Sequence, residues 1–407
     1  MTDKMQVNLR QVAMEILYEV QKNNGLLHVV LSDALKKYQY LDKNERSFIS
    51  RLVQGTEERK IELDYIIDSF SKTPVKKQKD VIRIILEMSV YQLKYMDSVP
   101  ASAVCNEAVK LAVKKNFGTL RGFVNGVLRN IARNIDNIEY PDKSTNTDKY
   151  LSVKYSVPEE LAGYFLKKFG DNETEEMFEA FNKDKSTYIR CNTKKTDIAG
   201  LTAALEAEGV TVTNEGIDKR IDYALKISGY DYLGGLKSFR DGLFFVQDIS
   251  SMLASQGGFI KRDAYVIDVC AAPGGKSINA ALMADIGHVS SRDISGRKVS
   301  LIKENAERLG IDNITYKVWD AVKKDEESVE KADVLICDLP CSGLGIIGRK
   351  PDIKYNVTYE KIKELALLQR KILSTVWEYV KKDGILIYST CTCLLYTSPS
   401  PRDPKTS

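Results

Sequence analysis

Between residues 264 and 389 short strand-length runs alternate with longer amphipathic ones, and no other feature limits the possible folds so strongly. Ala264 to Val269, His288 to Asp293, Ile314 to Val318, Val334 to Asp338 and Gly384 to Ser389 have the length and composition of strands. Between them Lys276 to Met283, Arg297 to Leu309 and Thr358 to Lys381 carry apolar residues at helical spacing. Such alternation implies a largely parallel sheet wound by helices on both faces, the Rossmann-like α/β class. Ligands of these sheets bind at the carboxyl ends of the strands, so the residues just past each strand are the ones to read for chemistry.

Past the first strand comes D-V-C-A-A-P-G-G-K, Asp268 to Lys276. The small residues Cys270, Ala271, Ala272, Pro273, Gly274 and Gly275, with Lys276 behind them, let the backbone approach a ligand closely. The run is not G-x-G-x-x-G, so hydride transfer with a nicotinamide cofactor loses its main support. A merely structural turn would not require a run of this length and composition. Asp293 ends the second strand, where it either accepts hydrogen bonds from ribose hydroxyls or caps the helix after Ile294-Ser295-Gly296. Asp320, past the third strand, has the same two readings and is a candidate neighbour of an adenine ring.

The fourth and fifth strands each lead to a thiol. Asp338-Leu339-Pro340-Cys341-Ser342-Gly343 follows one, and Ser389-Thr390-Cys391-Thr392 the other. Two cysteines in separate motifs point to methylation of a pyrimidine. Carbon 5 of cytosine is a poor nucleophile until a thiolate adds to carbon 6 and turns the ring into an enamine. One thiol suffices for that addition, and a second has a separate task such as resolving the adduct. Asp338 is placed to bind ring nitrogen 3 and hold it protonated, which makes carbon 6 more electrophilic. A buried structural cysteine accounts for many lone thiols, but not for the whole D-L-P-C-S-G string. The residues alone do not rank Cys391 above Cys341.

The seven cysteines are scattered over 407 residues that include two histidines. Neither Cys337/Cys341 nor Cys391/Cys393 forms C-x-x-C, so neither a disulfide framework nor a zinc site is expected. With no apolar run of membrane-spanning length and a polar start from Met1 to Arg10, no span or signal peptide is expected either, which suggests a cytoplasmic protein.

Upstream, Leu9 to about Asn134 has helical spacing almost throughout, as in Val81, Ile84, Ile85, Met88 and Leu93, and reads as an all-helical domain over residues 1–134. It holds 22 Lys/Arg against 15 Asp/Glu, an excess that suits a phosphate backbone and equally an ordinary solvated face. Residues 135–149 are polar without amphipathic period and read as a linker. Residues 150–240 read as a small α+β module: helices from Pro158 to Asn182, a strand Thr187 to Asn192, a helix Ile198 to Gly209 and a strand Val210 to Thr213. The α/β domain then spans 241–393.

In their order, D-V-C-A-A-P-G-G-K, R-D-I-S, D-L-P-C-S-G and S-T-C-T resemble the motifs of the RNA cytosine-5 methyltransferases that use S-adenosylmethionine. Gly242 to Asp248, G-L-F-F-V-Q-D, is similar to that family's segment ahead of the cofactor loop. The helical domain, with V-P-A at 99–101, N-E-A-V at 106–109 and G-F-V-N-G-V-L-R at 122–129, is similar to NusB. The resemblance covers about Leu9 to Thr392 and implies a bacterial enzyme that methylates one cytosine of 16S rRNA. It makes Cys391 the nucleophile and Cys341 the cysteine that helps release the product. It also assigns Cys270 to Lys276, Asp293, Asp320 and Asp338 to the S-adenosylmethionine pocket, with Lys276 and Asp338 facing the base as well. DNA cytosine methyltransferases instead take their nucleophile from a Pro-Cys motif.

The chain departs from the family at its end. From Cys393 the sequence L-L-Y-T-S-P-S-P-R-D-P-K-T-S, residues 394–407, resembles translated adapter or vector sequence where the family continues with further strands and a helix. A truncated reading frame with an unpaired sheet edge is expected. It leaves one alternative, a NusB-like RNA-binding protein impaired in catalysis.

Overall fold

In the computed structural model, which describes residues 7–23, 25–183 and 186–392, contacts divide the chain into two units. The first comprises Met1–Lys183 and Ile346–Thr358, the second Asp184–Gly345 and Tyr359–Ser407. The stretch from Cys393 onward, expected to depart from the family, lies outside the described residues.

Helical periodicity becomes helices in the first unit. Seven of them, Leu9–Asn23, Leu27–Lys37, Lys43–Glu58, Lys60–Phe70, Asp80–Tyr95, Ala101–Lys114 and Arg121–Asn134, surround a core that includes Leu17, Ile49, Leu52, Ile66, Ile85 and Val124. Asp80–Tyr95 runs through the middle and buries every residue from Ile84 to Gln92. Lys43–Glu58 starts at a capping box, in which Asp42 and Glu45 each satisfy the other's backbone N–H.

The stretch expected as a linker ends in a helix, Thr147–Tyr155, whose cap Asn146 accepts the Lys149 N–H at 3.0 Å. This helix and its successors, Glu159–Phe169 and Asp171–Asn182, belong to the helical unit rather than to the strands that follow; Ile61 N–H donates to Ser156 Oγ at 2.8 Å. Residues 346–358 join them from far along the sequence. Lys354, 1% exposed, donates to the Glu58 carbonyl at 2.7 Å, and the Tyr355 hydroxyl to that of Glu57 at 2.8 Å.

The second unit opens with a four-stranded antiparallel sheet: β1 (Thr187–Cys191), β2 (Thr211–Thr213), β3 (Ala224–Ser228) and β4 (Phe244–Val246), in the order β2-β3-β1-β4. Helices Ile198–Ala207 and Lys237–Arg240 complete a β-α-β-β-α-β arrangement. After it come β5 (Tyr265–Asp268), β6 (His288–Asp293), β7 (Ile314–Val318), β8 (Ala332–Asp338) and β9 (Val380–Ser389), all parallel, in the order β7-β6-β5-β8-β9. Helices Gly275–Met283 and Gly296–Leu309 cover one face through Ile278 and Ile302, and Tyr359–Val376 covers the other through Ile372 and Val376.

The long helix expected to reach Lys381 stops at Val376, because non-local bonds pull the chain off its axis. Buried Tyr379 accepts the Asp325 N–H at its hydroxyl (2.7 Å) and the Lys331 N–H at its carbonyl (3.0 Å), and β9 begins at Val380. The strand order reverses beside β5, the place where such sheets open a ligand crevice.

Candidate active site

β5 ends at Asp268, and the chain turns through Cys270 to Gly274 before the helix starts at Gly275. Gly274 has φ +104°, and a Cβ there would meet Ile278 Cδ1 at 3.1 Å and Ile302 Cγ2 at 3.2 Å, so only glycine fits. The turn is fastened to the next strand. Ala271 N–H donates to the Arg292 carbonyl (2.9 Å) and Ala272 N–H to Asp293 Oδ2 (3.1 Å). Asp293 Oδ1 takes the Ile294 N–H at 2.8 Å and pairs with Lys298 at 3.2 Å. Asp320 Oδ1 accepts the Val322 N–H at 3.2 Å in the turn after β7.

Beside this turn lies a cavity of about 180 Å³. Cys270 to Pro273, Gly275 and Lys276 line it from the loop, Asp268 and Asp338 from the strand ends. Phe245, Gln247, Asp248 and Ser251 close it from the segment around β4; sequence reasoning singled out that segment but none of its residues. Gly274, Asp293, Asp320, Cys341 and Cys391 are not part of this lining.

Two acids of the cavity differ in how they are held. Asp338 is bonded on both oxygens, to Lys276 Nζ at 2.7 Å and to Ser389 Oγ at 2.9 Å. Asp268 is fully buried; Oδ2 accepts from Ser277 Oγ at 2.6 Å, while Oδ1 has no partner among the described residues. Burial, reinforced by the Asp338 charge, raises its carboxyl to about 7. An orphaned buried oxygen at the wall of a cavity bounded by closely packed backbone fits a bound polar ligand of cofactor type.

The thiols divide sharply by environment. Burial pushes Cys270 up to about 12 and Cys191 to about 11, and drives Cys337 well above its ordinary value, so none of these is a ready thiolate. Parallel pairing of Asp338 with Ser389 aligns the two loops that follow β8 and β9. It brings Cys341 Sγ within 3.1 Å of Cys391 Sγ, and the Cys391 N–H donates to Cys341 Sγ at 3.3 Å. The Cys391 thiol bond, helped by the Gly343 and Cys391 N–H groups, lowers Cys341 to about 7 despite burial, and the same bond raises Cys391. The two thiols are held in hydrogen-bond contact and titrate as a pair, a coupling that the sequence does not reveal. Among the described residues no group of three or more His, Cys, Asp or Glu is arranged to hold a metal, and no helix is long and apolar enough to cross a membrane.

Known proteins share both the sequence and the fold. The sequence profile of the family described as 16S rRNA methyltransferase RsmB/F matches residues 260–397, and that of the NusB family residues 7–133. The probable ribosomal RNA small subunit methyltransferase B of Bacillus subtilis (strain 168) is 36% identical over 387 residues, covering 95% of this chain and 85% of the relative. Its counterpart in Synechocystis is 33% identical over 396 residues, 95% of this chain and 86% of the relative. The crystal structure of PH0851 superimposes with a TM-score of 0.78 at 25% identity, over 96% of this chain and 88% of that one. NSun6 from Pyrococcus horikoshii, solved with SFG, shares the fold with a TM-score of 0.53 at 23% identity, over 59% and 84%.

Proposed function

Since the chain belongs to the 16S rRNA methyltransferase RsmB/F family and is an S-adenosylmethionine-dependent rRNA methyltransferase with a NusB-like helical domain, we propose that it methylates carbon 5 of a cytosine in 16S rRNA through a covalent adduct at carbon 6. The observation that carries this reading is the thiol pair, 3.1 Å apart at the ends of adjacent strands, with Asp338 and Lys276 joined beside it.

The loop Cys270 to Lys276 would hold the cofactor, with Asp293 toward the ribose and Asp320 toward the adenine. When bound, S-adenosylmethionine supplies an electrophilic methyl group. Cys391 adds to carbon 6 as ring nitrogen 3 takes up the thiol proton, and Asp338 accepts a hydrogen bond from that N–H, leaving carbon 5 as an enamine nucleophile. After methyl transfer the Cys341 thiolate removes the proton from carbon 5, Cys391 leaves as the ring double bond re-forms, and nitrogen 3 returns its proton to the departing thiolate. The basic helical domain supplies phosphate contacts, and the target base leaves its stack to reach the thiols. The alternative of an RNA-binding protein without methyl transfer is not favoured, because the family match spans both thiol motifs.

The test is to trap the adduct. Cys391→Ala should abolish methylation and any covalent RNA complex, whereas Cys341→Ala should accumulate a complex that survives denaturing electrophoresis. The opposite pattern would exchange the two roles. Bisulfite mapping of the RNA after reaction with the unmodified protein reports whether carbon 5 of a cytosine is the site, and a product elsewhere would overturn the reading.

A further inference from the structure

Arg190 lies on β1, in the small antiparallel sheet, yet serves the cofactor cavity. It is 1% exposed, and Nη1 donates to Gln247 Oε1 at 2.8 Å and to the Gly275 carbonyl at 3.1 Å. Its guanidinium stands 5.6 Å from the centre of the Phe245 ring. All three residues it touches line the cavity. Nε and Nη2 have no hydrogen-bond partner among the described residues. Burial lowers its pKa to about 10, so the side chain stays cationic at neutral pH.

An arginine offers donors only, so what it meets in Gln247 is the amide oxygen. The amide nitrogen is then the end left to the cavity side. Gln247 Nε2 reaches Ser251 Oγ, another lining residue, at 3.2 Å, and stands 3.6 Å from where a Cβ on Gly275 would lie. One wall is therefore a fixed donor with a buried positive charge behind it. The other charged groups of the lining are the acids Asp248, Asp268 and Asp338, together with Lys276, which Asp338 already engages. The cavity presents one region for an anion and several acids for a cation.

Resting on the cofactor reading above, we propose that Gln247 and Arg190 form the wall that recognises the carboxylate of the cofactor's methionyl end. Gln247 donates to the carboxylate; Arg190 is a positioning residue that fixes the amide and lends its field.

The experiment compares the affinities of S-adenosylmethionine and its decarboxylated analogue, which keeps the sulfonium and adenosine but lacks the carboxylate, by calorimetry on the full chain. The unmodified protein should prefer S-adenosylmethionine by about tenfold or more, the scale of a hydrogen bond to a charged group. In Gln247→Leu that ratio should fall to within about twofold, with the analogue's own affinity kept. Arg190→Met should do the same if it folds, and Arg190→Lys, which retains the charge and donors, should recover part of the ratio. A ratio unchanged in Gln247→Leu, with both ligands weakened together, would reduce the pair to structural support and overturn the proposal. If the unmodified protein binds neither ligand, the cofactor reading itself fails and takes this inference with it.

Discussion

Glu62 in the helical unit and Asp268 in the α/β unit are both carboxylates removed from water, 2% and 0% exposed, but they are held in opposite ways. Glu62 is saturated: the Tyr95 and Tyr140 hydroxyls donate to its two oxygens, and Lys94 (3.4 Å) and Arg59 (3.8 Å) supply the counter-charge. The cost of holding that cluster shows on the donors, since burial and the Glu62 charge raise both tyrosines. Asp268 accepts from Ser277 on one oxygen, while the other has no partner among the described residues. A buried carboxyl with donors on both oxygens locks helices together, whereas one with a bare oxygen beside a cavity leaves room for a ligand to complete it.

The largest effect should come from breaking the saturated site. Glu62→Ala removes the acceptor of two tyrosine hydroxyls and the counter-charge of the partly buried Lys94 and Arg59, and should destabilise the helical unit by about 3 kcal/mol in denaturant unfolding. Affinity for S-adenosylmethionine, measured well below the midpoint, should not change. A fall in affinity without loss of stability would erase the distinction between the two carboxylates.

Asp268→Asn probes the other half with a sign that reverses. The carboxyl is raised from 3.8 to about 7 in the folded protein, so the native state keeps a proton that the unfolded chain gives up. Its contribution is fully present below about pH 4 and is lost progressively as pH rises towards 7. The amide cannot ionise, so the variant should gain on the parent across that window, by on the order of 1–3 kcal/mol at pH 8, while binding cofactor less well. Parallel stability curves from pH 4 to 8 would show that Asp268 carries no such strain.

The same contrast explains what could be read in advance. The five parallel strands and the loop Asp268 to Lys276 were visible because each has a strong local pattern, and His288–Asp293 and Ile314–Val318 match their expected ranges residue for residue. β3 and β4 went unseen: β4 spans three residues, too few for a period, and exists through its pairing with β1. That non-local pairing brings Arg190 and Gln247 together, and the burial that leaves one oxygen of Asp268 without a partner among the described residues likewise has no sequence signature. Helix Thr147–Tyr155 was hidden for a related reason. Its inward residues, Leu151, Ser152, Val153 and Tyr155, do not follow an amphipathic spacing.

The smallest effect sharpens the comparison at the thiols, where Cys337 and Cys341 lie four residues apart. Cys337 is enclosed in β8 and driven to the neutral thiol, while Cys341 is lowered to about 7 by donors, the Cys391 thiol foremost. Alkylation by iodoacetamide, mapped by peptide mass, should therefore leave Cys337 untouched and modify Cys341 with a midpoint near pH 7. Removing the foremost donor in Cys391→Ala should move that midpoint upward, towards the ordinary thiol range, because burial and the Asp338 charge then act with less opposition. The backbone N–H groups keep the shift from being complete. A midpoint that stays near pH 7 without Cys391 would mean that those N–H groups alone poise Cys341, and that the thiol pair is a matter of proximity rather than of shared proton.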